Sequence, residues 1–246
     1  MKKNRKTVLL VFFVLGVFFL SHGNEPPPKK WSGDMSFGLA MTRGNSETLS
    51  VSFSFGLKRK SGGTLEWINS GFYLFNRERG QTSAESMGIS TRLNWLVNKR
   101  FYSYYELQVL RDIFKDFNYR LLPGAGLGYK LMKAKVFEFT LYGGITHVVT
   151  DYISIRETER FTGVKVGDQL TWKLTSTTEL NQKAEFVSRV SELEKFLLRF
   201  EIGLAAAISK KWALSVSFVN NFDSKPSKTG IKKNDTVLFA GINFKF

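Results

Sequence analysis

TVLFAGINFKF, Thr236 to Phe246, closes the chain and decides how the rest is read. Thr236, Leu238, Ala240, Ile242, Phe244 and Phe246 share one side of a period-two pattern. Val237, Phe239, Gly241, Asn243 and Lys245 share the other. Alternation of this kind belongs to a strand, whose successive side chains point to opposite faces. A strand ending on a terminal Phe fits the closing strand of an outer-membrane barrel. In hydrocarbon, a last strand that fails to pair with the first leaves its edge N–H and C=O groups unsatisfied. An ordinary edge strand of a soluble sheet fits this one segment equally well, so the choice falls to the rest of the chain.

Working outward, the alternation recurs. Leu49, Val51, Phe53, Phe55 and Leu57 interleave with Ser50, Ser52, Ser54, Gly56 and Lys58, a division that a helix does not produce. Met35, Phe37, Leu39 and Met41 repeat it over 35–42. Further segments fall at 64–76, 83–97, 101–114, 119–131, 136–149, 158–173, 178–188, 196–208, 212–221 and 236–246, which makes twelve. The even-numbered connections (60–63, 98–100, 132–135, 174–177, 209–211) are uniformly tight. The odd-numbered ones (43–48, 77–82, 115–118, 150–157, 189–195, 222–235) are mostly longer. Short turns at one end and longer loops at the other describe a transmembrane antiparallel β-barrel with both termini periplasmic.

Tryptophan gives an independent indication. Trp95 and Trp172 precede short turns, Trp67 and Trp212 follow them, and Trp31 opens the first strand. On this topology all five gather toward one rim, as an interfacial aromatic girdle requires. The short turns are also basic (Lys58, Arg59, Lys60; Lys99, Arg100; Lys133, Lys135; Lys210, Lys211), which suits either phospholipid headgroups or plain solvation.

The N-terminus sets the compartment. Lys2, Lys3, Arg5 and Lys6 precede an apolar run from Val8 to Leu20, and Ser21-His22-Gly23 supplies small residues for a cut. That run is thirteen residues, short of the roughly 20 a spanning helix needs. Residues 1–23 therefore read as a cleaved export signal and 24–30, with three consecutive prolines, as a periplasmic leader. Residues 31–246 form the barrel. The signal carries four of the basic residues and no acidic ones, so the formal net charge falls from +15 to +11 on its removal. The chain has no Cys, which excludes disulfides and thiolate metal sites. Its cations are dispersed over turns of an exported protein, which argues against a nucleic-acid partner.

Three stretches together carry a resemblance. They are Trp31-Ser32-Gly33 leading to Gly44-Asn45-Ser46-Glu47-Thr48, the run Leu122 to Tyr129 (LPGAGLGY), and Lys232 to Thr236 (KKNDT) running into the terminal Phe. In order and spacing the chain resembles, over essentially all of 31–246, the salt-induced outer-membrane protein family, a domain-of-unknown-function group typified by YdiY. The resemblance implies an outer-membrane barrel, an association with salt or envelope stress, and no established activity, cofactor or catalytic residues.

A barrel acyl hydrolase needs a base beside a Ser nucleophile, and on a strand His-x-Ser places both on one face. The one His beyond the signal, His147, precedes Val148 and Val149, and Ile145 stands where an omptin-like Asp-x-His pair needs its Asp. No catalytic, metal or cofactor site is expected. Gly124, Gly126 and Gly128 lack the dinucleotide-binding spacing and read as a smooth strip leaving room for long neighbouring side chains. With the apolar faces turned to lipid, Arg92, Glu106, Asp112, Arg120, Lys130, Glu138, Arg199 and Glu201 point inward, either as ion pairs that fill the interior or as a channel lining. The expected function is an envelope barrel, structural or passing small solutes passively through a narrow charged lumen. Its expected partners are outer-membrane lipids and, through the C-terminal strand ending at Phe246, the barrel-assembly machinery. The alternatives are a lipid- or lipopolysaccharide-modifying barrel enzyme and a soluble periplasmic β-sandwich that binds a small ligand.

Overall fold

A computed structural model describes residues 31–42, 48–61, 63–226 and 231–246. The expected signal (1–23) and leader (24–30) lie outside the described residues, as does 43–47 of the first connection. Twelve strands follow in order: β1 (Trp31–Thr42), β2 (Thr48–Ser61), β3 (Leu65–Glu78), β4 (Gln81–Leu96), β5 (Phe101–Asp112) and β6 (Phe117–Lys133). They continue with β7 (Phe137–Tyr152), β8 (Thr158–Lys173), β9 (Thr178–Arg189), β10 (Glu192–Ala207), β11 (Trp212–Asp223) and β12 (Asn234–Lys245). Each pairs antiparallel with its sequence neighbours, and β12 returns to β1, so the sheet closes as a barrel.

The register explains the alternation. Residues paired across an antiparallel ladder share a face. Met35↔Phe55 and Phe37↔Phe53 on one side of β1, with Met35↔Phe244 and Phe37↔Ile242 on the other, carry one apolar face around the wall. That face is the outside: Phe37, Leu127, Ile145, Val166, Leu214 and Leu238 are all exposed on it. The opposite face carries serines, glycines and most of the buried charge, including Glu66, Glu106, Lys130, Lys165 and Glu185. Apolar outside and polar inside is the inverse of a soluble core, and it is what a hydrocarbon surround selects. A soluble sandwich is excluded by the closed topology.

Two connections differ from the sequence reading. Loops were expected over 77–82 and 189–195, but β3 reaches Glu78 with β4 starting at Gln81, and β9 reaches Arg189 with β10 starting at Glu192. Arg79 and Gly80 take φ of 46° and 78°, the pair of positive values that a two-residue type I′ hairpin turn requires. The tight-versus-long sorting of connections therefore fails at these two places. Polarity marks where the apolar band stops, whereas a ladder can run on into water. The register slips at Asn76/Arg77 and at Glu192/Phe196 show where these hairpins leave the regular wall.

Candidate functional site: the barrel interior

The register sets Arg92, Glu106, Asp112, Arg120, Lys130, Glu138, Arg199 and Glu201 on the inner face, but it does not gather them into one site. Arg92 and Glu106, paired across β4 and β5, belong to a buried network on the β4–β9 wall. Arg92 Nη1 lies 3.7 Å from Glu106 Oε2. The Lys165 ammonium donates to Glu106 and lies 3.6 Å from Glu185. Lys183 is 3.2 Å from Glu185, and the Tyr142 hydroxyl donates to the same carboxylate at 3.0 Å. The Arg92 guanidinium rests 3.9 Å from the Tyr104 ring centroid and 4.4 Å from that of Tyr142. These two rings meet edge to face at 5.9 Å. Buried ions are tolerated only when paired and hydrogen-bonded, and both carboxylates here have two cations in reach.

Glycine makes this wall possible. Gly124, Gly126 and Gly128 face inward on β6, so Glu106, Tyr104 and Tyr102 from β5 lie across them. A Cβ on Gly128 would fall 2.1 Å from Cζ of Tyr102, and one on Gly167 would fall 2.6 Å from Cζ of Tyr142. The long side chains thus lie flat in slots cut by neighbouring glycines. Lys165, Lys183, Glu185 and the three tyrosines were missed in the sequence reading. The signal for Lys165 was present: Gly163, Lys165 and Gly167 fall on one face, a lysine between two glycines with apolar Val164 and Val166 on the other.

Toward the odd-numbered connections, Leu122, Val148 and Val187 form an apolar layer with Leu110, Phe161 and Leu197. Beyond it opens a cavity of about 440 Å³ whose lining includes Arg120, Tyr152, Glu159, Arg189 and Asp223. Arg120 donates to Thr150 at 2.9 Å and reaches Asp223 at 3.6 Å, while Arg189 pairs with Glu159. Asp112 accepts the backbone N–H groups of Phe114 and Lys115, both at 3.1 Å, so its role is to hold a turn. At the other end Glu66 sits 3.6 Å from both Lys58 and Lys60, and Lys130 lies 3.8 Å from Glu138.

The opposite wall, β10 through β12 and on to β2, is built from small residues. Its inner face carries Ser36, Ser50, Ser52, Ser54, Gly203, Ser215, Ser217, Gly241 and Asn243, all half-buried. Arg199 pairs with Glu201, donates to Asn221 at 3.0 Å, and stands 5.8 Å from the Phe72 ring. That last contact crosses from β10 to β3.

On the outer face, Trp31, Trp67, Trp95, Trp172 and Trp212 all lie at the end of the even-numbered turns. Trp31 and Trp67 approach to 5.9 Å, Trp172 meets Phe137 at 6.2 Å, and Trp212 meets Phe244 at 5.0 Å. Phe246 exchanges two backbone hydrogen bonds of 3.0 Å with Gly33 across the closing seam.

Residues 35–246 match the model of a family described as protein of unknown function, DUF481. The chain belongs to the DUF481 family. Among solved structures it is similar to the NanC porin, with a TM-score of 0.54 and 8% identity over 87% of this chain and 100% of that one. It is equally similar to the COG4313 outer membrane channel from Pseudomonas putida F1, with a TM-score of 0.54 and 11% identity over 92% and 100% of the two chains. At these identities the likeness is one of fold, that of an outer-membrane β-barrel. No curated protein matches the chain.

Within this DUF481 barrel, His147 is exposed on the outer face, with Nδ1 3.2 Å from the Thr162 hydroxyl. It is therefore turned away from the interior carboxylates and serines. Among the described residues no group of three His, Asp or Glu side chains is placed to hold a metal ion. What the interior can do chemically is to present fixed charges, hydroxyls and a bounded volume to whatever enters.

Proposed function

We propose that this DUF481 barrel spans the outer membrane and passes small polar solutes passively through a slot along its serine and glycine wall. One observation carries the reading. Ser50, Ser52, Ser54, Ser215, Ser217 and Asn243 point inward, away from lipid, yet stay half-exposed, whereas Tyr104, Thr146, Thr150 and Lys165 on the other wall are sealed. Inward-facing exposure is exposure to water inside the barrel. Arg199 and Glu201 border the slot and set which charges fit. The mouth cavity, holding both signs of charge, is its vestibule.

In the same reading the five tryptophans mark the periplasmic-side interface, outer-membrane lipids contact the apolar band, and the strand ending at Phe246 is read by the barrel-assembly machinery. The resemblance to the salt-induced group supports a role under salt or envelope stress. Passive passage needs no catalytic group, and the outward position of His147 speaks against a barrel hydrolase. The test is planar-bilayer conductance of refolded protein that first shows a heat-modifiable gel shift. Discrete, reproducible steps are expected. A folded barrel that stays silent would replace the conduit with a purely structural role.

A further inference from the structure

Charge divides unevenly between the two ends of the barrel. Among the described residues, twelve Lys and Arg lie in the even-numbered turns or within three residues of a strand end on that side, against four Asp and Glu. The odd-numbered end, counted in the same way, also carries twelve, but against ten Asp and Glu. The ends therefore differ in carboxylates rather than in cations. Twelve against four leaves the Trp-rimmed end a net side-chain charge of +8, and twelve against ten leaves the other +2. Gly62, the one undescribed residue of the even-numbered turns, is neutral.

Placement sharpens the imbalance. The four carboxylates of this end, Asp34, Glu66, Glu138 and Glu179, all face inward by register. Lys58 and Lys60 share Glu66, and Lys130 lies beside Glu138. Lys99, Arg100, Lys133, Lys135, Lys210 and Lys211 stand in or next to the turns, exposed, and among the described residues no carboxylate pairs with them. They form a collar around the mouth. Twelve strands about 4.8 Å apart and tilted about 40° put the wall about 12 Å from the barrel axis. That is close to the Debye length of about 10 Å at 0.1 M salt, and well within the length of about 30 Å at 0.01 M. The collar therefore reaches the whole mouth in dilute salt.

It stands nearest the solute path where the serine and glycine wall ends. β10 and β11 of that wall turn at Lys210 and Lys211. The Lys245 N–H donates to the Lys211 carbonyl at 2.7 Å, which sets inward-facing Lys245 of β12 beside the same turn. Among the described residues, Asp34 is the one Asp or Glu at this end of the wall. Farther along, charge cancels: Arg199 pairs with Glu201. That pair sorts solutes by where their charges sit, and the sign of their net charge falls to the collar. A mouth ringed by one sign over low-dielectric walls concentrates ions of the other.

We propose that the even-numbered end is an electrostatic funnel that makes the slot selective for small anionic solutes. The inference rests on the slot being open. Its test is the reversal potential under a KCl gradient, with refolded, heat-modifiable protein in neutral phosphatidylcholine bilayers, so that no lipid charge contributes. In dilute salt, chloride is expected to pass at least about threefold more readily than potassium, and the preference should fall toward unity near 1 M, where the Debye length is about 3 Å. Lys210→Gln with Lys211→Gln, at the foot of the serine wall, should about halve the preference. Lys133→Gln with Lys135→Gln removes the same charge from the same end, below the filled wall, and should change it much less. Equal passage of the two ions, or a preference for potassium, in dilute salt would overturn the funnel while leaving the slot. So would a chloride preference that survives 1 M salt or ignores the Lys210 and Lys211 pair. Silent bilayers from folded protein would overturn the slot, and anion passage with it.

Discussion

The two walls of the barrel solve the same problem differently. From β4 to β9 the interior is filled: Tyr102, Tyr104 and Tyr142 lie in glycine slots, and half-buried Arg92 pairs with a buried Glu106, Lys165 and Glu185 network. From β10 round to β2 the inner face is mostly serine, glycine and asparagine, with Arg199, Glu201, Val219, Val237 and Phe239 among them, and these residues are half-buried. Both walls belong to one twelve-strand ring with the same alternation, so strand number alone does not set the bore. What sets it is which wall spends its inward positions on long side chains, and whether glycines beside them let those chains lie flat. The filled wall occupies its side of the interior, and the small-residue wall leaves room.

That contrast can be broken at graded cost. The largest effect is expected for Lys165→Met, which leaves buried Glu106 with Arg92 alone and buried Glu185 with Lys183 alone, and should destabilise the barrel by about 3 kcal/mol. The check is urea unfolding followed by the heat-modifiable gel shift. Gly126→Val comes next. Its Cβ would fall 2.2 Å from the Gly143 carbonyl oxygen and 2.8 Å from Tyr104, an overpacking that should cost about 1–3 kcal/mol in the same assay. Tyr142→Phe removes the hydrogen bond to Glu185 and should cost about 1.5 kcal/mol, the low end for a bond to a charged acceptor. Ser52→Ala, on the serine wall, should move stability by less than about 0.5 kcal/mol. A Ser52→Ala loss as large as that of Tyr142→Phe would erase the distinction between the walls.

Much of this was legible in the chain. Leu49 to Leu57 against Ser50 to Lys58 announces a two-faced strand, because a period of two leaves each face chemically pure. The five tryptophans share one rim because each lies beside an even-numbered turn or opens the first strand, positions the chain itself shows. The Arg79-Gly80 turn was not legible as a turn, since polar residues beyond the lipid band are equally at home in a ladder or a loop. The inward parity of Arg92 and Glu106 was readable, but their joining through Lys165 was not, because that contact spans β5 to β8. It depends on barrel curvature and on the glycines between, neither of which a single strand reveals. Asp112 shows the converse: parity points it inward, while its position at the strand's end commits it to the backbone of Phe114 and Lys115.

The central claim, that water and solutes follow the serine wall, is tested most directly by substituted-cysteine accessibility during conductance recording. Ser52→Cys and Ser217→Cys would be compared with Thr146→Cys and Thr150→Cys, using a charged methanethiosulfonate reagent. Rapid modification with a fall in single-channel conductance is expected at 52 and 217, with no effect at 146 and 150. Modification at 146 and 150 while 52 and 217 stay inert would place the conduit on the other wall and contradict the account.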